Sequence, residues 1–252
     1  MENIYRISKN EDGTWLLFIN SFNKELTPDI IKLLSNYKMV DFGYCFNKSV
    51  TYQTESSQNG KSPTLLPNSI THIKFGYHFN KPVDNLSDSI ISIEFGYCFN
   101  QEVNNFPNSL KYLTFGTCFD QPINNLPESL EYLNLGLYFF HPLDNLPNSL
   151  KVLIIGAIYN LPIDSLPNNI EKLEIGWEFN QILDHLPPQL KELRLGWDYN
   201  QPLNNLPNSL EELIVGGNFN HEFSHIPKSL KKISIPGGYL KKLPEGIQIK
   251  WY

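Results

Sequence analysis

The stretch LPPQLKELRLGWDYNQPLNN (Leu186–Asn205) decides the fold of this chain, because close copies of the same twenty residues precede and follow it. Leu190, Leu193 and Leu195 give the spacing LxxLxL, and Gly196 comes directly after them. A fixed period of this length is the signature of a solenoid. One copy has too few apolar residues to fold by itself, so it must bury its apolar face against neighbouring copies.

The copies follow one another without slippage from residue 66 onward, so that equivalent residues form columns. The glycine column consists of Gly76, Gly96, Gly116, Gly136, Gly156, Gly176, Gly196 and Gly216. The aromatic column consists of Phe79, Phe99, Phe119, Phe139, Tyr159, Phe179, Tyr199 and Phe219. A repeated glycine indicates either a positive φ or a close approach of two backbone segments. We therefore expect structural roles for Gly96, Gly116, Gly156 and Gly196.

Apolar residues alternate with other residues in the segment Lys111–Phe115, which is the period of a β-strand. One strand per copy, stacked in register, makes a parallel sheet. Pro122 and Pro127, or their equivalents, stand on the other side of each copy, where they disfavour an ordinary α-helix. The sequence therefore predicts a mainly β solenoid, with a parallel sheet on one face and extended or 3₁₀ segments on the other.

The motif LPxxLxxLxLxxxFNxPxxx resembles the FNIP repeat, a relative of leucine-rich repeats found in social amoebae and giant viruses. The resemblance is strong over Leu66–His225 and weak over Asn20–Val50, and the last turn, Leu230–Ile247, resembles an ordinary leucine-rich repeat. It implies a solenoid similar to leucine-rich-repeat proteins that serves as a protein-interaction scaffold. Because FNIP proteins often combine the solenoid with an F-box, it also implies target recognition linked to ubiquitination.

Three regions are predicted along the chain. Residues 1–65 hold a capping hairpin around Asp12–Gly13, degenerate repeats and a polar insertion at Thr51–Pro63. Residues 66–225 hold eight regular repeats, and residues 226–252 hold the last turn and a C-terminal cap. The proline and apolar spacing of Thr27–Leu34 predict a helix. This stretch slightly resembles an F-box core, but such a core needs a further helix, and none is predicted after it.

Composition and charge argue against several classes of function. The net charge of −6 gives no reason to expect nucleic acid as a partner. The longest apolar runs are too short to span a membrane, and the first residues, MENIYRISKNEDG, lack the apolar core of a signal peptide. We therefore expect a monomer in the cytoplasm, or in the host cytoplasm if the protein is viral.

No pattern of catalytic or metal-binding residues is visible in the sequence. The three cysteines, Cys45, Cys98 and Cys118, each follow a column glycine by two residues, and we expect them to be reduced thiols. The six histidines occupy different columns and form no repeated ligand set. We predict that the protein is not an enzyme and that it uses no cofactor and no metal.

Two further columns have structural interpretations. An asparagine follows the aromatic residue in most copies, including Asn100, Asn180 and Asn200, and its amide can bond backbone groups at the corner of the turn. The residue after the first leucine alternates in charge through Lys111, Glu131, Lys151, Glu171, Lys191, Glu211 and Lys231. Stacking places each of these residues beside opposite charges, so we interpret the column as a ladder that fixes register.

The exposed columns of the sheet differ most from copy to copy, and they include the residues that we predict to bind a partner. These residues are Tyr112, Tyr132, Glu174, Trp177, Glu178, Arg194, Trp197 and Asp198. Tyrosine and tryptophan dominate binding hot spots, and Trp177 and Trp197 combine them with charges of both signs. The alternative interpretation is that these aromatic residues pack the bend at the end of the strand.

The predicted function is that of a non-enzymatic scaffold that binds a protein on the open face of the sheet. One alternative is a structural protein that self-assembles through its faces or ends. A second is a carbohydrate-binding solenoid, for which only the region of Trp177 and Trp197 combines aromatic residues with carboxylates.

Overall fold

The computed structural model describes residues 4–10, 13–51, 64–243 and 245–252. The chain forms two compact units, residues 1–130 and residues 131–252. In each unit short strands recur at the twenty-residue period and pair in parallel, so that the predicted mainly β solenoid is confirmed. The boundaries predicted after residues 65 and 225 stay predictions.

The first unit begins with an antiparallel hairpin and continues with parallel strands. Its elements are β1 (Tyr5–Asn10), β2 (Gly13–Phe18), α1 (Pro28–Leu34), β3 (Met39–Asp41), β4 (His72–Lys74), β5 (Ser92–Glu94) and β6 (Tyr112–Thr114). Tyr5 stands opposite Phe18 in the hairpin, and β2 pairs in parallel with β3. Asp12 of the predicted turn and nearly all of the insertion at Thr51–Pro63 lie outside the described residues.

The helix α1 has the signals that predicted it. Thr27 is its N-cap, and the Thr27 hydroxyl accepts a hydrogen bond of 3.5 Å from the backbone N–H of Ile30. Pro28 stands in the first turn, and Ile30 and Leu34 are buried. In the part of the chain that the structure describes, α1 is the single α-helix, and no helix there has the length and hydropathy needed to cross a bilayer.

The second unit consists of seven parallel strands in sequence order. They are β7 (Tyr132–Asn134), β8 (Val152–Ile154), β9 (Lys172–Glu174), β10 (Glu192–Arg194), β11 (Glu212–Ile214), β12 (Lys232–Ile235) and β13 (Gln248–Trp251). Partners are twenty residues apart up to β12, whereas Lys232 pairs with Gln248 in the shorter last turn. Within each of the strands β7 to β11 the middle residue is buried and its neighbours are more exposed, which leaves one face of the sheet open, as at Lys172–Glu174.

Each turn buries the same set of side chains. Leu190, Leu193, Leu195, Tyr199 and Leu203 are all at most 3% exposed. The aromatic column stacks along the solenoid, with the ring centroids of Phe179 and Tyr199 6.2 Å apart and their planes at 6°. At the start of most turns a leucine or isoleucine N–H donates to the proline carbonyl three residues earlier, as from Leu190 to Pro187 at 3.1 Å. This single tight turn takes the place of a helix on the proline side.

The glycine column marks a close approach of consecutive turns. A Cβ atom built on Gly156 would overlap the carbonyl oxygen of Gly136 and lie 2.8 Å from its carbonyl carbon. The same overlap with the preceding turn occurs at Gly96, Gly116 and Gly196. None of these four residues has a positive φ. Of the two reasons for glycine, it is therefore backbone approach that applies at these positions.

The asparagine column forms a ladder of hydrogen bonds between turns. The backbone N–H of Asn100 donates to Asn80 Oδ1 at 3.0 Å, and those of Asn180 and Asn200 donate to the asparagine of the preceding turn at 2.9 Å. Asn100 and Asn180 are partly buried, whereas Asn200 is exposed. Each side-chain carbonyl thus satisfies a backbone donor that the bend would otherwise leave without a partner.

Candidate functional site

Two tryptophan side chains stack on the open surface of the second unit, just beyond strands β9 and β10. The ring centroids of Trp177 and Trp197 are 5.7 Å apart and their planes make an angle of 24°. Trp177 is 58% exposed and Trp197 is 48% exposed. The indoles therefore lie outside the buried core.

The indole of Trp197 lies over the backbone of the next turn. A Cβ atom built on Gly217 would lie 2.6 Å from Cε2 and Cζ2 of Trp197. Gly217 occupies the position in its turn that Trp197 occupies in the preceding one, so the stack of large side chains ends there. The absence of a side chain at Gly217 gives the Trp197 ring a place to lie flat.

A cavity of about 460 Å³ lies beside this pair of indoles. Its lining includes Trp177, Arg194, Trp197, Ile214, Ser234, Lys250 and Tyr252. Tyr252 is held against it by three hydrogen bonds. The Tyr252 hydroxyl donates to the carbonyl of Val215, the Tyr252 backbone N–H donates to the carbonyl of Ile235 at 3.2 Å, and the backbone N–H of Gly237 donates to the Tyr252 carbonyl at 3.0 Å. Burial raises the pKa of the Tyr252 hydroxyl, although nearby Arg194 opposes this effect, so the group is a neutral donor at neutral pH.

The charged side chains around the cavity are unevenly paired. Lys172 Nζ lies 3.0 Å from Glu174 and 3.3 Å from Glu192, and these contacts, led by the hydrogen bond to Glu174, raise the pKa of Lys172. Lys172 thus forms ion pairs with two carboxylates. Among residues 4–10, 13–51, 64–243 and 245–252, neither Arg194 nor Lys250 has a carboxylate partner, and both are exposed.

Comparison with known proteins identifies the repeat. The model of the family described as "FNIP Repeat" matches residues 62–98, 82–118, 99–138, 119–157, 159–198, 179–214 and 199–238. The chain belongs to the FNIP-repeat family. The resemblance found in the sequence is thereby confirmed, and repeat solenoids of this type are typical of protein-interaction scaffolds.

A solved structure supports the relationship of the FNIP-repeat chain to leucine-rich-repeat proteins. The structure is described as the crystal structure of CroV588, a novel circular LRR protein, and it superposes with a TM-score of 0.71 at 28% sequence identity. The similarity covers 94% of the FNIP-repeat chain but only 43% of the CroV588 chain. No curated protein matches the sequence.

The FNIP-repeat fold brings some of the predicted binding residues together and separates others. Asp198 adjoins the indoles, and its Oδ1 accepts a hydrogen bond of 2.9 Å from Asn218 Nδ2. Glu178 is exposed one residue after Trp177. Tyr132 lies two strands before β9, opposite Val152, and Tyr112 belongs to the first unit. Of the predicted set, Trp177, Arg194 and Trp197 line one cavity, whereas Glu174, Glu178 and Asp198 do not line it.

Sequence reasoning missed two groups of residues. Lys250 and Tyr252 line the cavity, but they follow a last turn that departs from the twenty-residue period, so no column pointed to them. A tyrosine stack in the first unit was also missed, with centroids 4.8 Å apart for Tyr44 and Tyr77 and 4.7 Å apart for Tyr77 and Tyr97. Tyr77 and Tyr97 directly follow the column glycine, as Trp177 does, and this shared position could have indicated the stack. The insertion before residue 64 breaks the twenty-residue period, so the sequence does not show that Tyr44 occupies the same position.

A larger cavity of about 900 Å³ lies on the proline side of the first unit. Its lining includes six asparagines, among them Asn85, Asn105 and Asn125, which stand at equivalent positions in three turns. These residues recur from copy to copy, so this surface lacks the variation by which one partner is distinguished from another.

Proposed function

We propose that this FNIP-repeat protein is a non-enzymatic scaffold that binds a protein partner on the open sheet face of the second unit, centred on Trp177 and Trp197. The observation that carries the proposal is the pair of stacked, half-exposed indoles beside the 460 Å³ cavity. Because both rings are about half exposed, packing in the core does not explain why two tryptophans stand at these positions.

The energetics of interfaces favour such a pair as the centre of a binding site. Tryptophan is enriched among the residues whose truncation costs about 2 kcal/mol or more of binding free energy. Trp177 rests on Trp197, and Trp197 rests on Gly217, so both rings are ordered before a partner arrives. Preorganisation of this kind lowers the entropic cost of association.

Selection of targets for ubiquitination in the cytoplasm is a more specific form of the proposal, and it rests on the family resemblance alone. An F-box needs more than one helix, and α1 is the single α-helix among the described residues. The adaptor function would therefore have to come from outside the described residues, and recovery of ubiquitin-ligase subunits with the protein would support it.

The proposal is tested with the double variant Trp177→Ala/Trp197→Ala. A protein captured from lysate by the wild-type chain is purified, and its dissociation constant is measured by calorimetry for wild type and variant. We expect the variant to keep its melting temperature within a few degrees. We also expect it to lose at least tenfold in affinity, because a factor of ten corresponds to about 1.4 kcal/mol, which is less than the cost of about 2 kcal/mol for truncating one such tryptophan.

Tyr77→Ala/Tyr97→Ala is the matched control, since these rings stack at the equivalent position in the first unit. We expect this control to bind as wild type does. Unchanged affinity in the tryptophan variant would place the binding surface elsewhere. Light scattering addresses the self-assembly alternative, because the scaffold is expected to stay monomeric at high concentration.

A further inference from the structure

The sheet column beside the cavity carries a cation at Arg194 and a second one three strands later, at Lys250. The strand register aligns Arg194 with Ile214, Ile214 with Ser234, and Ser234 with Lys250. Adjacent strands are about 4.8 Å apart, so three steps separate the two cations by about 14 Å along the sheet. Between them the column carries one apolar side chain and the buried Ser234.

Arg194 is left unpaired by the arrangement of its neighbours. Glu174 stands opposite it on the adjacent strand, but the Glu174 carboxylate is 3.0 Å from Lys172 Nζ. Lys172 also holds Glu192, and Glu212 is 2.6 Å from Lys232. The carboxylates on the strands beside Arg194 are therefore engaged with lysines, and the guanidinium of Arg194 is available for a carboxylate from another molecule.

The space between the two cations suits a large apolar group. Trp197 and Tyr252 both line the cavity, together with Ile214. A volume of about 460 Å³ falls within the range of roughly 300–1,000 Å³ that is usual for ligand pockets. An aromatic or branched side chain inserted there would contact the indole of Trp197.

We propose that this cavity binds an extended acidic segment of the partner protein, with an apolar side chain in the cavity and a carboxylate at each of Arg194 and Lys250. The proposal rests on the proposed function and specifies the chemistry of the partner. An extended chain advances about 3.4 Å per residue and places alternate side chains on one face. A span of about 14 Å therefore corresponds to four residues, which gives the pattern acidic–x–apolar–x–acidic.

The negative net charge of the protein disfavours binding of an acidic segment at surfaces other than this cavity. The net charge of −6 repels acidic peptides from most of the surface. Attraction must come from Arg194 and Lys250 at short range, where direct pairs form. Binding should accordingly weaken as salt is added, because exposed pairs are screened.

Fluorescence anisotropy with labelled synthetic peptides tests the proposal. The probe is GSESFSESG, and the two comparison peptides replace both of its glutamates by lysine or its phenylalanine by alanine. We expect wild type to bind the probe at least tenfold more tightly than either comparison peptide. Arg194→Glu/Lys250→Glu should reverse the preference, so that the lysine peptide binds more tightly than the probe.

The matched control is Lys241→Glu/Lys242→Glu, which changes the net charge equally at exposed residues outside the cavity lining. We expect it to keep the preference for the acidic probe. If the charge-reversal variant fails to fold, Arg194→Gln/Lys250→Gln replaces it, and the expected result is loss of at least tenfold in probe affinity.

The outcomes separate this inference from the proposed function. Equal binding of the acidic and lysine peptides, no measurable binding of the probe, or normal probe binding by the variants of Arg194 and Lys250 would overturn the inference. The proposed function survives those results if Trp177→Ala/Trp197→Ala still loses the captured partner. If that variant keeps the partner, the proposed function fails as well.

Discussion

Tyr159 and Tyr199 occupy a column that is phenylalanine in most other turns, and their side chains are fully buried. Their hydroxyl groups have no hydrogen-bond partner among the described residues, and burial raises the pKa of both. Tyr239 stands in the same column, but its hydroxyl donates to the carbonyl of His221 at 2.9 Å. The repeat pattern predicts an aromatic ring at all three positions. It cannot predict the partner of a hydroxyl, because that depends on which backbone group the neighbouring turn presents.

We predict that Tyr159→Phe and Tyr199→Phe each raise the free energy of unfolding by about 1 kcal/mol, because each removes a buried polar group without a partner. Tyr239→Phe is the matched control and should lower it by about 1 kcal/mol, since a hydrogen bond is lost and a carbonyl is left unsatisfied. Urea unfolding with an unchanged slope is the measurement. Losses of similar size in all three variants would mean that Tyr159 and Tyr199 have hydrogen-bond partners after all.

At the scale of the secondary-structure elements, the twenty-residue period predicts where strands occur and which residues pair. Strands β4 to β6 of the first unit and β7 to β12 of the second follow it. Side-chain pairing within a column is less predictable. The alternating charges give each residue inside the column two possible partners, and the sequence does not say which contact forms. Glu131 is 3.2 Å from Lys151, Glu171 is 2.6 Å from Lys191, and Glu211 is 2.5 Å from Lys231. Each glutamate thus pairs with the lysine of the following turn.

We predict that Glu171→Gln lowers the melting temperature at pH 7 by no more than about 4 °C, because the pair is exposed. The hydrogen bond from Lys191 and its charge lower the pKa of Glu171. A carboxyl whose pKa is lowered on folding contributes full stability above its unfolded value of about 4.3 and loses it as the pH falls through the folded value. The difference between wild type and variant should therefore vanish in acid.

Glu128→Gln is the control for this pH series, because Glu128 is exposed and has no ion pair in the described parts of the chain. Its melting temperature should match that of wild type at every pH. In a further arm, Glu171→Lys should be destabilising, and Glu171→Lys/Lys191→Glu should recover part of the loss. Additive losses in the double variant would show that the two residues do not interact.

At the scale of the whole molecule, the contacts of each turn are made with the turns next to it, as the strand partners twenty residues away show. This much follows from the repeat. The position of Tyr252 does not, because the last turn is shorter than the others and ends where the twenty-residue columns no longer apply. The cavity that completes the candidate site was therefore hidden from sequence reasoning, although its two tryptophans were not.

We predict that the protein tolerates removal of one whole turn far from the candidate site. Deleting residues 76–95 joins Phe75 to Gly96, so that every later residue keeps its column, and Asn47 Oδ1, which accepts the N–H of Asn80 at 3.0 Å, can accept that of Asn100 instead. Nearest-neighbour stability predicts cooperative melting at a moderately lower temperature, with affinity for the captured partner kept within about threefold. Deleting only residues 76–85 is the control, since it moves all later residues by half a turn and should abolish cooperative melting. If the twenty-residue deletion behaves like the ten-residue one, stability depends on more than contacts between adjacent turns.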